Sequence, residues 1–145
     1  MTGDAMTEEQ WIELGQRAFA CKHWRWMPGM RAIEADTEMR QHGPAWGRAI
    51  DGLRGLEWFH AHGGCIEPVP DLRDPATVGC LLALVREAWG CHVHLRRWAS
   101  PAPDMSGKDR STWEPVDGLG RRLVAGPRVL CESEAAALVA ALEAA

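Results

Sequence analysis

The chain has 145 residues, a hydrophobic share of 46% and a formal net charge of −4, values that fit one globular domain with its own core and exclude wholesale disorder. The acidic balance argues against a phosphate-binding role spread over the whole surface, and no run approaches the ~18 apolar residues that a membrane span needs. Met1 to Gln10 is acidic and polar, unlike a secretory signal, and the five cysteines (21, 65, 80, 91 and 131) are odd in number without a disulfide-framework spacing, so a reduced, cytoplasmic chain is expected.

A first helix is predicted from Thr7. Thr7-Glu8-Glu9-Gln10 is a capping box, and Trp11, Leu14, Ala18 and Cys21 recur at helical spacing, with Ile12 and Phe19 widening the stripe. In Trp24-Arg25-Trp26-Met27-Pro28-Gly29-Met30 the large side chains alternate before Pro-Gly marks a bend, which reads as a strand entering a kink, with Trp24, Trp26 and Met30 as core. Six glycines interrupt residues 34 to 70; Trp46-Gly47-Arg48-Ala49-Ile50 and Leu56-Glu57-Trp58-Phe59-His60 read as two short strands rather than one weak helix from Pro44.

The strongest local signal follows. Asp74 is an N-cap, Pro75 sits at the first helical position, and Gly90 supplies the stop. Between them Val78, Leu81, Leu82, Val85 and Trp89 form a helical stripe centred on Leu82. Cys91 to Trp98 alternates with period two, placing Cys91, Val93 and Leu95 on one face and His92, His94, Arg96 and Trp98 on the other. Ala99 to Gly120, rich in Pro, Ser, Asp and Gly, reads as a flexible loop carrying Trp113. Leu123-Val124-Ala125 reads as a short strand, and Ser133 caps a last helix with Ala135, Leu138, Val139 and Leu142 buried. The expected fold is a single α+β domain over 1–145, an antiparallel sheet of three to five strands packed with three helices.

No catalytic motif is present. The chain has no Gly-x-Ser-x-Gly elbow, no phosphate-cradling loop and no His-Glu-x-x-His, and Gly52-Leu53-Arg54-Gly55 is not a dinucleotide fingerprint. His60, His62 and Cys65 with His92 and His94 supply zinc-ligand types, since His-x-His on a strand puts both imidazoles on one face. There is, however, no Cys-x2-Cys pair and no acidic residue beside the histidines, so no metal or other cofactor is expected. The better lead is the aromatic and arginine set: Trp113, Arg96, Trp98, His92 and His94 are the candidate partner-binding residues, because Trp and Arg dominate binding hot spots. Exposed carboxylates at Glu34, Asp36, Glu38, Asp71 and Asp74 are a second candidate set, able to mimic phosphate charge.

Three segments carry a resemblance: Trp24 to Met30 as quoted above, then Pro70-Asp71-Leu72-Arg73-Asp74-Pro75-Ala76-Thr77-Val78 continuing to Gly90, then Glu134-Ala135-Ala136-Ala137-Leu138-Val139 continuing to Ala144. Together, over about a third of the chain, they resemble small uncharacterised phage and prophage proteins similar to the phage ABA-sandwich domain. The resemblance implies an α/β sandwich encoded by a phage or mobile element and carries no activity with it; the chain departs from the family pattern in its longer stretch from 34 to 69. A sheet covered on both faces would bury His92, His94 and Arg96, so one face is expected to be partly open. The expected function is a non-enzymatic phage or prophage binding protein that inhibits a host protein, such as a CRISPR–Cas-type defence component, with no membrane partner and no direct sequence-specific nucleic-acid binding. The alternatives are a zinc-binding enzyme or zinc-stabilised module, and a nucleotide sponge in which Trp stacks a base and Arg96 or Arg97 holds phosphate.

Overall fold

A computed structural model describes residues 6–41, 46–51, 55–59, 68–98, 112–124 and 133–145. The class is α+β. In chain order the elements are α1 (Glu8–Phe19), β1 (Arg31–Glu34), α2 (Thr37–Gln41), β2 (Trp46–Asp51), β3 (Gly55–Phe59), β4 (Pro68–Pro70), α3 (Pro75–Trp89), β5 (Val93–Trp98), β6 (Thr112–Asp117) and α4 (Glu134–Ala144). They gather into two compact units, Thr7–Cys80 on the one hand and Met1–Met6 with Leu81–Ala145 on the other. The strands accordingly form two antiparallel sheets in place of the one expected, a four-stranded sheet in the order β3-β2-β1-β4 and a separate β5-β6 ribbon.

In the unit of residues 7–80, Thr7 caps α1 as the sequence implies: Gln10 N–H donates to its hydroxyl at 3.2 Å and Thr7 N–H donates to Gln10 Oε1 at 2.7 Å. The helix buries Ile12, Leu14, Gly15 and Ala18. The buried stripe is thus rotated from the one expected, leaving Trp11 half-buried and Phe19 exposed. Gly15 sits in this stripe because α1 packs on β4; a Cβ there would stand 2.6 Å from the Pro70 carbonyl oxygen. That atom is backbone and cannot swing aside. Gly15→Ala should therefore lower stability by at least about 1 kcal/mol despite alanine's better helix propensity; an unchanged urea midpoint would show that α1 and β4 lie further apart.

The Trp24 segment is not a strand. Residues 24–27 have no regular structure, the chain turns through Pro28 and Gly29 (φ +91°), and β1 begins only at Arg31. Met30 is buried as expected, whereas Trp24 and Trp26 are half-buried and pack edge to face, ring centroids 5.4 Å apart. The two strands read from the sequence at 46–50 and 56–60 appear as β2 and β3. Ile12, Ile33, Ala35 and Val69 form an apolar cluster in this unit.

Asp74 and Pro75 open α3 as predicted. Asp74 Oδ2 accepts from Thr77 N–H at 3.1 Å and from Thr77 Oγ1 at 2.8 Å, and the same hydroxyl oxygen accepts Arg31 N–H at 2.7 Å, joining helix to β1. Of the proposed phosphate mimics, Glu34 and Asp71 are buried; Asp71 accepts from Arg73 Nε at 2.9 Å and is an internal ion-pair partner, not a displayed charge. Along α3 the buried residues are Thr77, Leu81, Leu84 and Val85, while Val78 and Leu82 are only half-buried.

In the second unit, α3 ends at Trp89 and Gly90 turns the chain with φ +61°. The Trp89 indole N–H donates to the Ala141 carbonyl at 2.9 Å, which gives one of the last-turn carbonyls of α4 a partner. Arg86 Nε donates to the Val93 carbonyl at 2.9 Å. Ser133 caps α4 through Ala136 N–H at 3.0 Å, and Ala135, Ala137, Leu138, Val139, Ala141 and Leu142 are buried. No helix among the described residues is long and apolar enough to cross a membrane.

Candidate functional site

The loop expected over 99–120 gives way to structure at Thr112, where β6 begins; residues 99–111 lie outside the described residues. β6 runs antiparallel to β5 with Arg96 opposite Glu114, Arg97 opposite Trp113 and Trp98 opposite Thr112. Trp113 is therefore a half-buried strand residue, not the anchor of a loop. Directly opposed residues share a face of an antiparallel pair. Trp113 and Arg97 therefore lie on one face of the ribbon, and His94, Arg96, Trp98 and Glu114 on the other.

After β6 the chain reverses. Asp117 Oδ1 accepts the backbone N–H groups of Leu119 and Arg121, both at 2.9 Å, while Arg121 Nε donates to Oδ2 at 2.7 Å. Gly120, at φ +79°, completes the turn. The Arg121 N–H is the chief cause holding the Asp117 carboxyl below its usual range; burial opposes it, and the Arg121 side chain and Leu119 N–H reinforce it. This turn brings Arg122 back beside Val116 in an isolated bridge. The strand expected at 123–125 is absent from its described part, since Leu123 and Val124 form a bend; Ala125 lies outside the described residues.

The consequence of the reversal is a carboxylate gathered by three donors. Glu114, 7% exposed, receives Arg96 Nη2 at 2.9 Å and the Trp98 indole N–H at 2.8 Å on one oxygen, and the Arg122 guanidinium on the other. Arg96 also lies over the Trp98 ring at 4.8 Å from its centroid, a cation–π contact. Burial by itself would raise the Glu114 pKa. The hydrogen bonds from Arg96, Trp98 and Arg122, with the charge of Arg96, outweigh burial and hold the carboxyl below its ordinary value. A carboxylate held in its ionised form in this way is a poor general base. Its role is to fix the Arg96–Trp98 pair.

His92 and His94 are both exposed on this side, ring centroids 6.0 Å apart and planes tilted by 34°. The structure thus brings together four of the five candidate partner-binding residues and separates Trp113. His60, His62 and Cys65 lie outside the described residues, and among the described residues no group of three or more His, Cys, Asp or Glu side chains is placed to hold a metal. Glu114 and Arg122 were not legible as site residues. Pro115 broke the strand pattern around Glu114, and only Asp117-Gly118-Leu119-Gly120 signalled the turn that returns Arg122. No protein-family model matches the chain, nor does any curated protein or solved structure.

Proposed function

We propose that the protein is a non-enzymatic binding protein of phage or prophage origin that acts in the host cytoplasm by inhibiting a host protein, such as a CRISPR–Cas-type defence component. The observation that carries the binding reading is the Arg96–Trp98 pair, stacked on itself and tied to Glu114. Trp and Arg are the residues most enriched at binding hot spots. Immobilising a rotamer-rich side chain on association costs about 0.5–1.5 kcal/mol, and a pair already held by a buried carboxylate avoids most of that loss. His92 and His94 extend the same face outward. The phage origin rests on the resemblance of the Trp24, Pro70 and Glu134 segments alone.

The test is affinity capture of host proteins by the tagged chain, compared with a His92→Glu/His94→Glu variant. Both histidines are exposed, so the variant should melt as the wild type does. A partner seated on this face should bind it at least about tenfold more weakly, about 1.4 kcal/mol. Retention of no host protein, or of one that binds both forms equally, would sink the proposal.

A further inference from the structure

Between Glu13 and Glu34 the chain carries Arg17, Lys22, Arg25 and Arg31 and no acidic residue, within a protein whose net charge is −4. The same stretch holds Trp24, Trp26 and Phe19, one of only two phenylalanines in the chain. At the C-terminal end of α1 the fold brings Phe19, Trp24 and Trp26 together, while Arg31 lies on β1 and pairs with Asp71. Phe19 is the last residue of the helix; Ala20 N–H donates to the Gln16 carbonyl, Cys21 N–H to Ala18 and Trp24 N–H to Cys21, so the chain wraps around the helix end. Phe19 and Trp26 then meet with ring centroids 6.3 Å apart and planes 48° apart, and Trp24 packs its edge on Trp26. Phe19 is 48% exposed, and Lys22 and Arg25, three and six residues further along the chain, are exposed as well.

We infer that this surface, built on Phe19, Trp26, Lys22 and Arg25, binds single-stranded nucleic acid without sequence preference. Flat aromatic rings offered beside cations are the two components such binding uses: bases stack on the rings while the cations meet the phosphates. Each alternative partner fits less of what is present. An acidic peptide would use the cations and leave the ring platform idle. A membrane surface calls for a broad apolar body, whereas the tryptophans here are half-buried against one another. A duplex keeps its bases stacked internally, away from Phe19. The acidic residues of α1 do not cancel the patch: Glu8, Glu9 and Glu13 stand six or more residues from Phe19, roughly 9 Å or more along the helix, beyond a physiological Debye length of about 8 Å. The Trp24 indole N–H is buried without an acceptor among the described residues, so polar satisfaction is not what holds that ring in the cluster.

This surface lies in the unit of residues 7–80 and goes beyond the binding role proposed for the β5 face. Its test is fluorescence anisotropy of a short fluorescein-labelled oligothymidylate, titrated over a salt series that includes physiological ionic strength, where dissociation constants are expected near the non-specific range of ~10⁻⁴–10⁻⁶ M. Phe19→Ala and Lys22→Gln should separate the two components. The first should weaken binding about tenfold while leaving the salt dependence unchanged; the second should flatten the plot of log affinity against log salt by about 0.7. Both positions are exposed, and circular dichroism melts of the variants should overlay the wild type. Absence of binding would overturn the inference, as would binding that neither substitution alters, or tighter binding to phosphatidylserine vesicles than to the oligonucleotide.

Discussion

Leu84→Ala should cost about 2–5 kcal/mol of stability. Leu84 is 1% exposed and lies in the same unit as Leu81, Val85, Val93, Val116 and Leu138, all essentially inaccessible to water. Truncation removes three carbons' worth of transfer energy and leaves a cavity that a close-packed surround closes only in part. The informative control is Leu82→Ala. Leu82 is half-buried, so solvent enters where its side chain was, and the loss should fall clearly below that of Leu84→Ala. Urea denaturation of both variants decides the matter. Equal losses, or a larger loss at Leu82, would mean that α3 presents the face centred on Leu82 to its core.

That control also marks where sequence reading stopped. Val78, Leu81, Leu82, Val85 and Trp89 are as good an apolar stripe as Leu81, Leu84 and Val85 with Thr77, because α3 is apolar over most of its circumference and periodicity fixes an amphipathic face only when polar residues define the opposite one. Thr77 is no part of that apolar stripe, yet its hydroxyl joins Asp74 to the Arg31 backbone. That partner stands 46 residues away, and no local pattern announces it. The caps of α1, α3 and α4, by contrast, were legible, while the short α2 was not read at all: Thr7, Asp74, Gly90 and Ser133 act where they stand, since capping is a short-range matter of side chain and adjacent backbone.

The ribbon shows both outcomes side by side. β5 was legible because His92 to Trp98 alternates cleanly, and the face bearing His94, Arg96 and Trp98 is the one the structure assigns. β6 was not, because Pro115 lacks the N–H that a central strand needs and Glu114 is a charged residue on an inward position. Glu114 becomes tolerable there only through Arg96, Trp98 and Arg122, two of them on a facing strand and the third returned by a turn. A buried charge is decided by its partners, and its partners are a property of the fold.

Glu114→Gln should therefore lower stability by about 2–3 kcal/mol at neutral pH, by removing the charge that three donors address. Glutamine keeps the shape but offers one acceptor oxygen in place of two, and turns an N–H2 toward either the Arg122 side or the Arg96 and Trp98 side. The loss stays below the 3–5 kcal/mol typical of breaking a fully buried ion pair, because the Arg96 and Arg122 side chains are 36% and 37% exposed and regain water. The pH dependence gives the sharper check. The carboxyl of Glu114 is held below its ordinary value in the folded chain. The stabilisation from its charge is therefore complete above the unfolded-state pKa, near 4.3, and is lost as the pH falls through the folded value. Wild type and Glu114→Gln should differ fully in melting temperature at pH 7 and converge once the medium is acidic enough to protonate the folded carboxyl. A gap that stays constant down to that pH would show that Glu114 acts through its shape and packing. A gap that widens in acid would mean that the carboxyl is protonated in the folded state and donates, with Arg96 and Trp98 held by something else.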